Sequence, residues 1–259
     1  MVSGILDGVP LWAILVGTVV ALAAAAELGF RVGTRVRGRV EPSSLADLGT
    51  TLGGLLGLLG LLLAFTFGMA GERFDKRRTL VIEEANAIGT AWLRTDLVPE
   101  PMRTRARDAL RAYTQLRLDA VARGAPGLAA GIAGSEELQG VLWKAATEAA
   151  AAAPTPPVTL FVSSVNEVID MHGRRVAAGA RNPIPPVILW TLLAVAVLTL
   201  ATFGLSRGAS GDRSSTTTTI LSVVLAVVLV LILDLDRPGE GTLRVSQQAM
   251  RDVRATMGP

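Results

Sequence analysis

The stretch LGTTLGGLLGLLGLLLAFTFGMAG, residues 48–71, decides the fold of this chain. It contains nine leucines and no charged side chain over 24 residues. An α-helix rises about 1.5 Å per residue, so about 20 apolar residues cross the roughly 30 Å of hydrocarbon in a bilayer. The stretch therefore predicts a transmembrane helix.

Three further stretches, residues 8–26, 182–206 and 214–233, also lack charged side chains. We predict transmembrane spans at about 10–30, 48–71, 186–206 and 214–234. The alternative of buried helices in a soluble protein is disfavoured, because 259 residues are too few to cover four such helices with polar layers. A cleaved signal peptide is a second alternative for the first stretch, although its beginning carries no positive charge.

A polar block of about 110 residues separates the second and third spans. Its apolar residues Phe74, Val81, Ile88 and Trp92 recur at helical spacing, which predicts a helix that continues out of the second span. Further on, we predict a Gly/Ala linker over 124–134 and a helix capped by Ser135.

The predicted fold class is an all-α integral membrane protein with four transmembrane helices and a helical domain inserted between the second and third. The domain order is a transmembrane hairpin at 1–71, a soluble helical domain at 72–181, a second transmembrane hairpin at 182–235 and a polar C-terminal tail at 236–259.

The composition excludes several kinds of catalytic chemistry. The chain has no cysteine and one histidine, so it lacks thiolate zinc sites, cysteine nucleophiles and histidine-pair metal motifs. It also lacks a P-loop, a nucleophile elbow and a GxGxxG motif. We therefore predict no enzymatic activity, no metal and no cofactor. The net charge of +3 is small, and we predict no nucleic-acid partner.

Four spans place both termini on the same side of the membrane as the polar block. By the count of basic residues that flank the spans, 11 on that side against 6 in the short loops, that side is cytoplasmic. The four arginines that follow the first span favour the opposite orientation. We predict a multi-pass protein of the bacterial inner membrane with the helical domain and both termini in the cytoplasm.

Small residues mark the second span as a helix that packs closely in a bundle or at a subunit interface of a homo-oligomer. These helix-packing candidates are Gly49, Gly53, Gly57, Gly60, Ala64 and Gly68. A sharper alternative is that the span lines a pore, with a hydrophobic constriction formed by Leu61, Phe65 and Met69 on a common face.

Polar residues near the span ends and in the helical domain form a candidate polar network. Glu27 and Arg31 are one helical turn apart and are expected to pair, and Asn166, Asp170 and Arg174 share a helix face by their spacing. We interpret Glu27 and Arg31 as a pair near the membrane interface, and Asn166, Asp170 and Arg174 as a solvated face or an intersubunit salt-bridge face. The full set is Glu27, Arg31, Glu84, Asn86, Asn166, Asp170, Arg174, Asp234, Asp236 and Arg237.

Three segments resemble a bacterial membrane family described as bestrophin-like. They are FTFGMAGERFDKRRTLVIEEANAIGTAWLRTDLVPEPMRTRARDALRAYTQLRLD at 65–119, VNEVIDMHGRR at 165–175 and LDLDRPGEGTLRVSQQAM at 233–250. The order of spans, two before a helical insert and two after it, also matches.

The resemblance implies an oligomeric anion channel, because bestrophins are pentamers whose second span lines a hydrophobic neck. Leu61, Phe65 and Met69 would then be neck residues. The sequence departs from true bestrophins in lacking an acidic calcium-clasp run. The alternative function is a membrane-anchored helical scaffold or sensor that binds a protein partner through residues 72–181.

Overall fold

The computed structural model describes residues 8–39, 41–181, 184–237 and 241–258. Every regular element within these ranges is helical. The chain divides into two compact units. One, the membrane unit, consists of Met1–Glu72 and Pro183–Arg237, and the other, the helical unit, consists of Arg73–Asn182 and Pro238–Pro259.

The membrane unit contains four helices long and apolar enough to cross a bilayer. They are α1 (Leu11–Val36), the first part of α2 (Pro42–Arg94), α6 (Pro186–Ser210) and α7 (Ser215–Asp236). The predicted all-α membrane fold with four spans is therefore confirmed. Three of these helices extend two to six residues past the predicted span ends, and their last turns carry polar residues.

Helices α1 and α6 pack backbone against backbone. Each helix contributes two glycines to the contact. A Cβ atom on Gly29 would lie 2.8 Å from the carbonyl carbon of Ala201, and one on Gly204 would lie 2.9 Å from the amide nitrogen of Phe30. Gly33 and Gly208 meet one turn further along. Such close approach is the usual way in which small residues associate helices in lipid.

Helix α2 runs without a break from Pro42 to Arg94, as the apolar pattern beyond residue 72 predicts. Inside the membrane unit it buries one stripe, formed by Leu59, Leu63, Thr66 and Ala70. These residues recur at steps of four, three and four, the spacing of a single helix face.

The helical unit comprises the second part of α2, then α3 (Met102–Ala122), α4 (Ala125–Ala152), α5 (Pro156–Val176) and α8 (Gln248–Thr256). A 3-10 turn, Thr95–Leu97, follows α2, and a π-helical turn, Ala177–Arg181, follows α5. The core of this unit contains apolar side chains from all five helices, among them Ile88, Leu110, Leu142, Phe161 and Met250.

The predicted linker at 124–134 is wrong, and so is the helix start at Ser135. Helix α4 begins at Ala125, directly after Gly124, whose φ of 68° permits the tight turn. The glycines of this stretch serve packing against α3: a Cβ on Gly134 would lie 2.9 Å from the Leu116 side chain. Ser135 is buried within the helix and donates to the carbonyl oxygen of Gly131 at 2.6 Å.

The C-terminal segment, predicted as a separate polar tail, groups with the helical unit. Its helix α8 buries Met250 in the core, and Met257 follows it there. The guanidinium of Arg111 donates two hydrogen bonds to the carbonyl oxygen of Met257, at 3.0 and 2.9 Å. The segment is therefore part of the folded helical unit.

Candidate functional site

The side of α2 opposite its buried stripe is apolar and uncovered. At about 3.6 residues per turn, Leu61 lies opposite Leu63 and Ala70, and Phe65 and Met69 follow on the adjacent turns. The exposed fractions of Leu61, Phe65 and Met69 are 53%, 66% and 37%. The three candidate pore residues thus share an exposed face on a helix that is long enough to span the membrane.

The candidate packing residues of α2 occupy the flank beside this face and are all exposed. Within the part of the chain that the structure describes, no atom lies within 4 Å of a Cβ built on Gly49, Gly53, Gly57, Gly60 or Gly68. These glycines therefore do not mediate packing inside one chain, in contrast to the glycines of α1 and α6. Ala64 lies on the same flank and is also exposed.

Sequence reasoning singled out the glycines of α2 and missed those of α1 and α6. The missed signal was present, because Gly29 and Gly33, like Gly204 and Gly208, are spaced as in the GxxxG motif of paired membrane helices. A single sequence does not show which of several small-residue rows faces a helix of its own chain.

The predicted pair at the end of α1 forms. Arg31 Nε lies 2.9 Å from Glu27 Oε1, and Arg213 at the start of α7 lies 3.6 Å from the other Glu27 oxygen. At the end of α7, Asp234 and Asp236 are buried. The Asp236 carboxylate accepts from the amide of Ile184 at 2.9 Å, and Arg237 donates to the carbonyl oxygen of Val9 at 3.1 Å.

The remaining surface candidates lie on the helical unit. Asn166, Asp170 and Arg174 are exposed on α5, and Asn166 donates to Asp170 at 3.3 Å. Asn86 is exposed on α2. These residues fit the interpretation of a solvated face.

Glu84 stands apart from the other polar candidates because it is fully buried. It lies between Arg175 of α5, which donates to its Oε2, and Arg117 of α3, whose Nε is 3.4 Å from its Oε1. The Tyr113 hydroxyl also donates to Oε1, at 2.5 Å. His172 completes this buried cluster with its Nδ1 atom 3.4 Å from the Tyr113 oxygen.

The environment of the buried cluster shifts the pKa values of four groups, Glu84, Tyr113, His172 and Arg175. Burial, opposed by the charge of Glu84, lowers the pKa of Arg175. Burial by itself would raise the pKa of Glu84, but the charges of Arg175 and Arg117 and the donated hydrogen bonds outweigh it and hold the pKa below its ordinary value. Burial raises the pKa of Tyr113, with the Glu84 charge acting in the same direction. Burial, followed by the charge of Arg117, lowers the pKa of His172. The cluster is therefore an ionised carboxylate beside a neutral histidine at neutral pH.

Glu84 is a candidate from the sequence, but its grouping with Tyr113, Arg117, His172 and Arg175 appears only in the structure. Glu84 lies 29 to 91 residues from these partners, so helical spacing could not connect it with them. The only available signal was that Glu84 falls on the apolar stripe with Val81 and Ile88, where a charged residue needs a buried partner.

These features define a class of protein: an all-α membrane-spanning protein with an uncovered apolar helix and a separate helical unit. The chain matches the model of the Bestrophin-like domain over residues 20–250 and belongs to the bestrophin-like family. No match is found among curated proteins.

Solved structures of bacterial bestrophins share the fold. Three crystal structures of point variants of a bacterial bestrophin homologue from Klebsiella pneumoniae superpose with TM-scores of 0.66, 0.63 and 0.62, at 12%, 15% and 16% sequence identity. They cover 95%, 95% and 94% of this chain, and 96%, 97% and 96% of those chains. The resemblance noted in the sequence is therefore confirmed, and the protein is a bestrophin-type membrane protein.

Proposed function

We propose that the protein is a homo-oligomeric anion channel in which α2 lines the pore. The observation that carries the proposal is the exposed apolar face of α2, with Leu61, Phe65 and Met69, on a membrane-spanning helix. Membership of the bestrophin-like family supports it, because the family resemblance implies oligomeric anion channels.

The two flanks of this face differ in a way that suits a ring of identical helices. One flank carries the small residues, including Gly57 and Gly60, and the other carries the bulky side chains of Phe65 and Met69. In a head-to-tail ring the bulky flank of one copy meets the small flank of the next, and repetition of that contact closes the ring. Leu61, between the two flanks, then points to the central axis.

A ring of large apolar side chains is a suitable gate. Water leaves a narrow apolar constriction readily, and an ion without its hydration shell does not pass. A widened or wetted constriction conducts. Phe65 is the largest and most exposed of the three candidates, so its size is expected to control the flux.

Phe65→Ala tests the proposal in liposomes that contain the purified oligomer. We expect this change to increase chloride efflux, because it removes the bulk of the constriction, while potassium flux stays low. The matched control is Phe67→Ala, which removes the same side chain from a different face of the same helix. Absence of chloride efflux from oligomeric protein, or an equal response to both variants, would refute pore lining by Phe65.

We also propose that the helical unit and both termini are cytoplasmic, on the larger count of basic residues on that side. The chain has no cysteine, so single cysteines can be placed without background. Ser163 on the helical unit and Ser210 at the end of α6 are both exposed. In intact cells an impermeant maleimide is expected to label Ser210→Cys and not Ser163→Cys, and the reverse labelling pattern would overturn the orientation.

A second candidate function, a scaffold that binds a protein partner, has one observation in its favour. Leu93, Leu97 and Leu160 of the helical unit are exposed by 71%, 43% and 50%. Arg94 donates to the carbonyl oxygen of Leu160 at 2.8 Å, so these residues lie near one another. A scaffold predicts no ion flux and a partner whose capture is lost in Leu93→Glu.

A further inference from the structure

We infer that the exposed face of α1 is a binding site for an anionic phospholipid, whose phosphate is held by Arg31, Arg35 and Arg213. The acyl chains of the lipid lie along the apolar part of the same face. The site belongs wholly to the membrane unit. The inference is independent of conduction, because a protein that conducts no ion could still hold this lipid.

One face of α1 is exposed along the whole helix. Its members recur at steps of four, four, four, four, three and four, the spacing of a single helix face. They are Trp12, Val16, Val20, Ala24, Leu28, Arg31 and Arg35. At about 100° per residue, Arg31 lies on the side of α1 opposite Gly29 and Gly33, through which α1 packs on α6. The face is therefore apolar up to Leu28, basic beyond it, and uncovered by the described chain.

The length of the apolar part matches a bilayer. Arg31 follows Trp12 by 19 residues, which is about 28 Å of helix, close to the roughly 30 Å of hydrocarbon. Tryptophan favours the boundary between hydrocarbon and headgroups, and arginine reaches the headgroups. Arg31 and Arg35 are thus placed at the level of lipid phosphates, with acyl chains beside Val20 and Leu28.

The basic end of this face has more positive than negative charge. Arg31 donates to Glu27 at 2.9 Å, and Arg213 lies 3.6 Å from the other Glu27 oxygen. The Arg213 guanidinium also lies 5.3 Å from the centre of the Phe30 ring, a cation–π contact that holds it beside α1. Arg35 has no ion pair among the described residues. Three guanidinium groups therefore share one carboxylate.

The remaining charges at this end of the membrane unit leave the excess in place. Arg207 pairs with Asp212 at 2.8 Å. The other two arginines and two carboxylates, which are Arg37, Arg39, Glu41 and Asp47, are equal in number. Residues 27–47 and 203–213 together carry six arginines and four carboxylates, so two positive charges stay unbalanced.

The chemistry of these groups selects the headgroup. Guanidinium groups bind phosphate oxygens through paired, charge-assisted hydrogen bonds. The side chains of Arg31 and Arg213 are 66% and 65% exposed, so their donors are accessible to a ligand. A choline headgroup brings its own cation, which the unbalanced arginines repel. An anionic phospholipid is therefore favoured over a zwitterionic one, and the adjoining apolar face favours a lipid over free phosphate.

The first test measures the Tm of the full-length protein in detergent during titration with phosphatidylglycerol or phosphatidylcholine. We expect half of the Tm rise at a lower concentration of phosphatidylglycerol, because a ligand that binds only the folded state stabilises it. Arg35→Met should need about five-fold more phosphatidylglycerol. In the double variant Arg31→Met/Arg35→Met the two lipids should act alike. Both variants should fold, since Glu27 keeps Arg213 as its partner.

Three controls separate a defined site from other effects. Arg39→Met removes an exposed arginine at the same end but outside the α1 face, and it should leave the response unchanged. Phe65→Ala should also leave it unchanged, so failure of the pore proposal and failure of this inference are distinguishable. Inorganic phosphate alone should not raise the Tm. An equal wild-type response to both lipids, an equal loss in Arg39→Met and Arg35→Met, or a full response to inorganic phosphate would overturn the lipid site.

A second test places the lipid on the α1 face. The chain has no cysteine, so a fluorophore can be attached to Leu28→Cys alone, in nanodiscs of phosphatidylcholine with a small share of brominated lipid. Brominated phosphatidylglycerol should quench the fluorophore more than brominated phosphatidylcholine at the same share. That difference should disappear when Arg31→Met and Arg35→Met are added. Absence of quenching by either lipid would mean that protein covers this face, and would refute the inference.

Discussion

The two units of this protein hold their helices together by different means. In the membrane unit, α1 and α6 meet through glycines, so close that a single added Cβ would collide with the backbone of the other helix. In the helical unit, bulky apolar side chains form a core, and one buried carboxylate joins α2 to α3 and α5 through hydrogen bonds and charge.

The solvent explains the difference. Lipid tails are as apolar as leucine, so burying leucine between helices gains little, and close backbone packing has to provide the stability. In water the burial of apolar area drives association, and larger spacings filled by Ile88 or Phe161 are favourable. The interior of the helical unit can then accept a polar cluster if each group in it is paired.

From this comparison we expect that, of all positions in the helical unit, substitution of the buried charge of Glu84 lowers stability most. Glu84→Ala is expected to lower the free energy of unfolding by about 3–5 kcal/mol, because it leaves two buried arginines without a counter-charge. Chemical denaturation of the purified protein measures the loss. Glu83→Ala is the matched control, since this neighbouring glutamate is exposed, and it should change stability by less than about 0.5 kcal/mol.

An equal, small effect of both glutamate variants would mean that the cluster contributes little to the helical unit. The unit would then depend on its apolar core alone, and the contrast with the membrane unit would be reduced to the size of the packed side chains.

In the membrane unit the position most sensitive to substitution is expected to be a glycine, Gly204. Gly204→Ala is expected to cost about 1–3 kcal/mol, because the new methyl group would overlap the backbone of α1 and force the helices apart. Gly17→Ala provides the control on α1, where a Cβ atom meets no described residue. Thermal unfolding of the purified protein in detergent should separate the two variants, and equal Tm values would show that the α1–α6 contact is not a determinant of the fold.

The glycine contrast also shows what could be predicted from the sequence. The absence of charge over residues 48–71 and three other stretches was sufficient for the four spans, because crossing a bilayer imposes a length and a composition. The continuation of α2 to Arg94 followed from the apolar stripe at Phe74, Val81 and Ile88. These features are local, so a single sequence records them.

Features that join distant parts of the chain were not predictable in this way. Gly124–Gly134 was interpreted as a linker because glycine usually breaks helices, whereas here its glycines let α4 approach α3. The partners of Glu84 lie 29 to 91 residues away, and nothing in the local pattern connects them. The spacing of Leu61, Phe65 and Met69 predicts a common face, and their role in a pore stays a prediction.

The smallest expected effect is the pH dependence of stability, which arises from a titratable group buried in the helical unit. His172 has a folded pKa below its ordinary value of 6.5 because of burial and the nearby Arg117, so the unfolded chain binds a proton more readily than the folded chain. Stability should therefore be complete above about pH 6.5 and fall as the pH drops toward the folded pKa. Glu84 contributes its own loss only below its ordinary value of 4.5.

Denaturation of the wild type and His172→Asn between these two pH values isolates this effect. The chain has one histidine, so no other side chain has an ordinary pKa in that window. Asparagine keeps a donor to the Tyr113 oxygen, and the variant should show a flatter stability profile than the wild type. Gly204→Ala should shift the profile without changing its slope, since its contact has no titratable group. A slope that persists in His172→Asn would place the acid sensitivity outside the buried cluster.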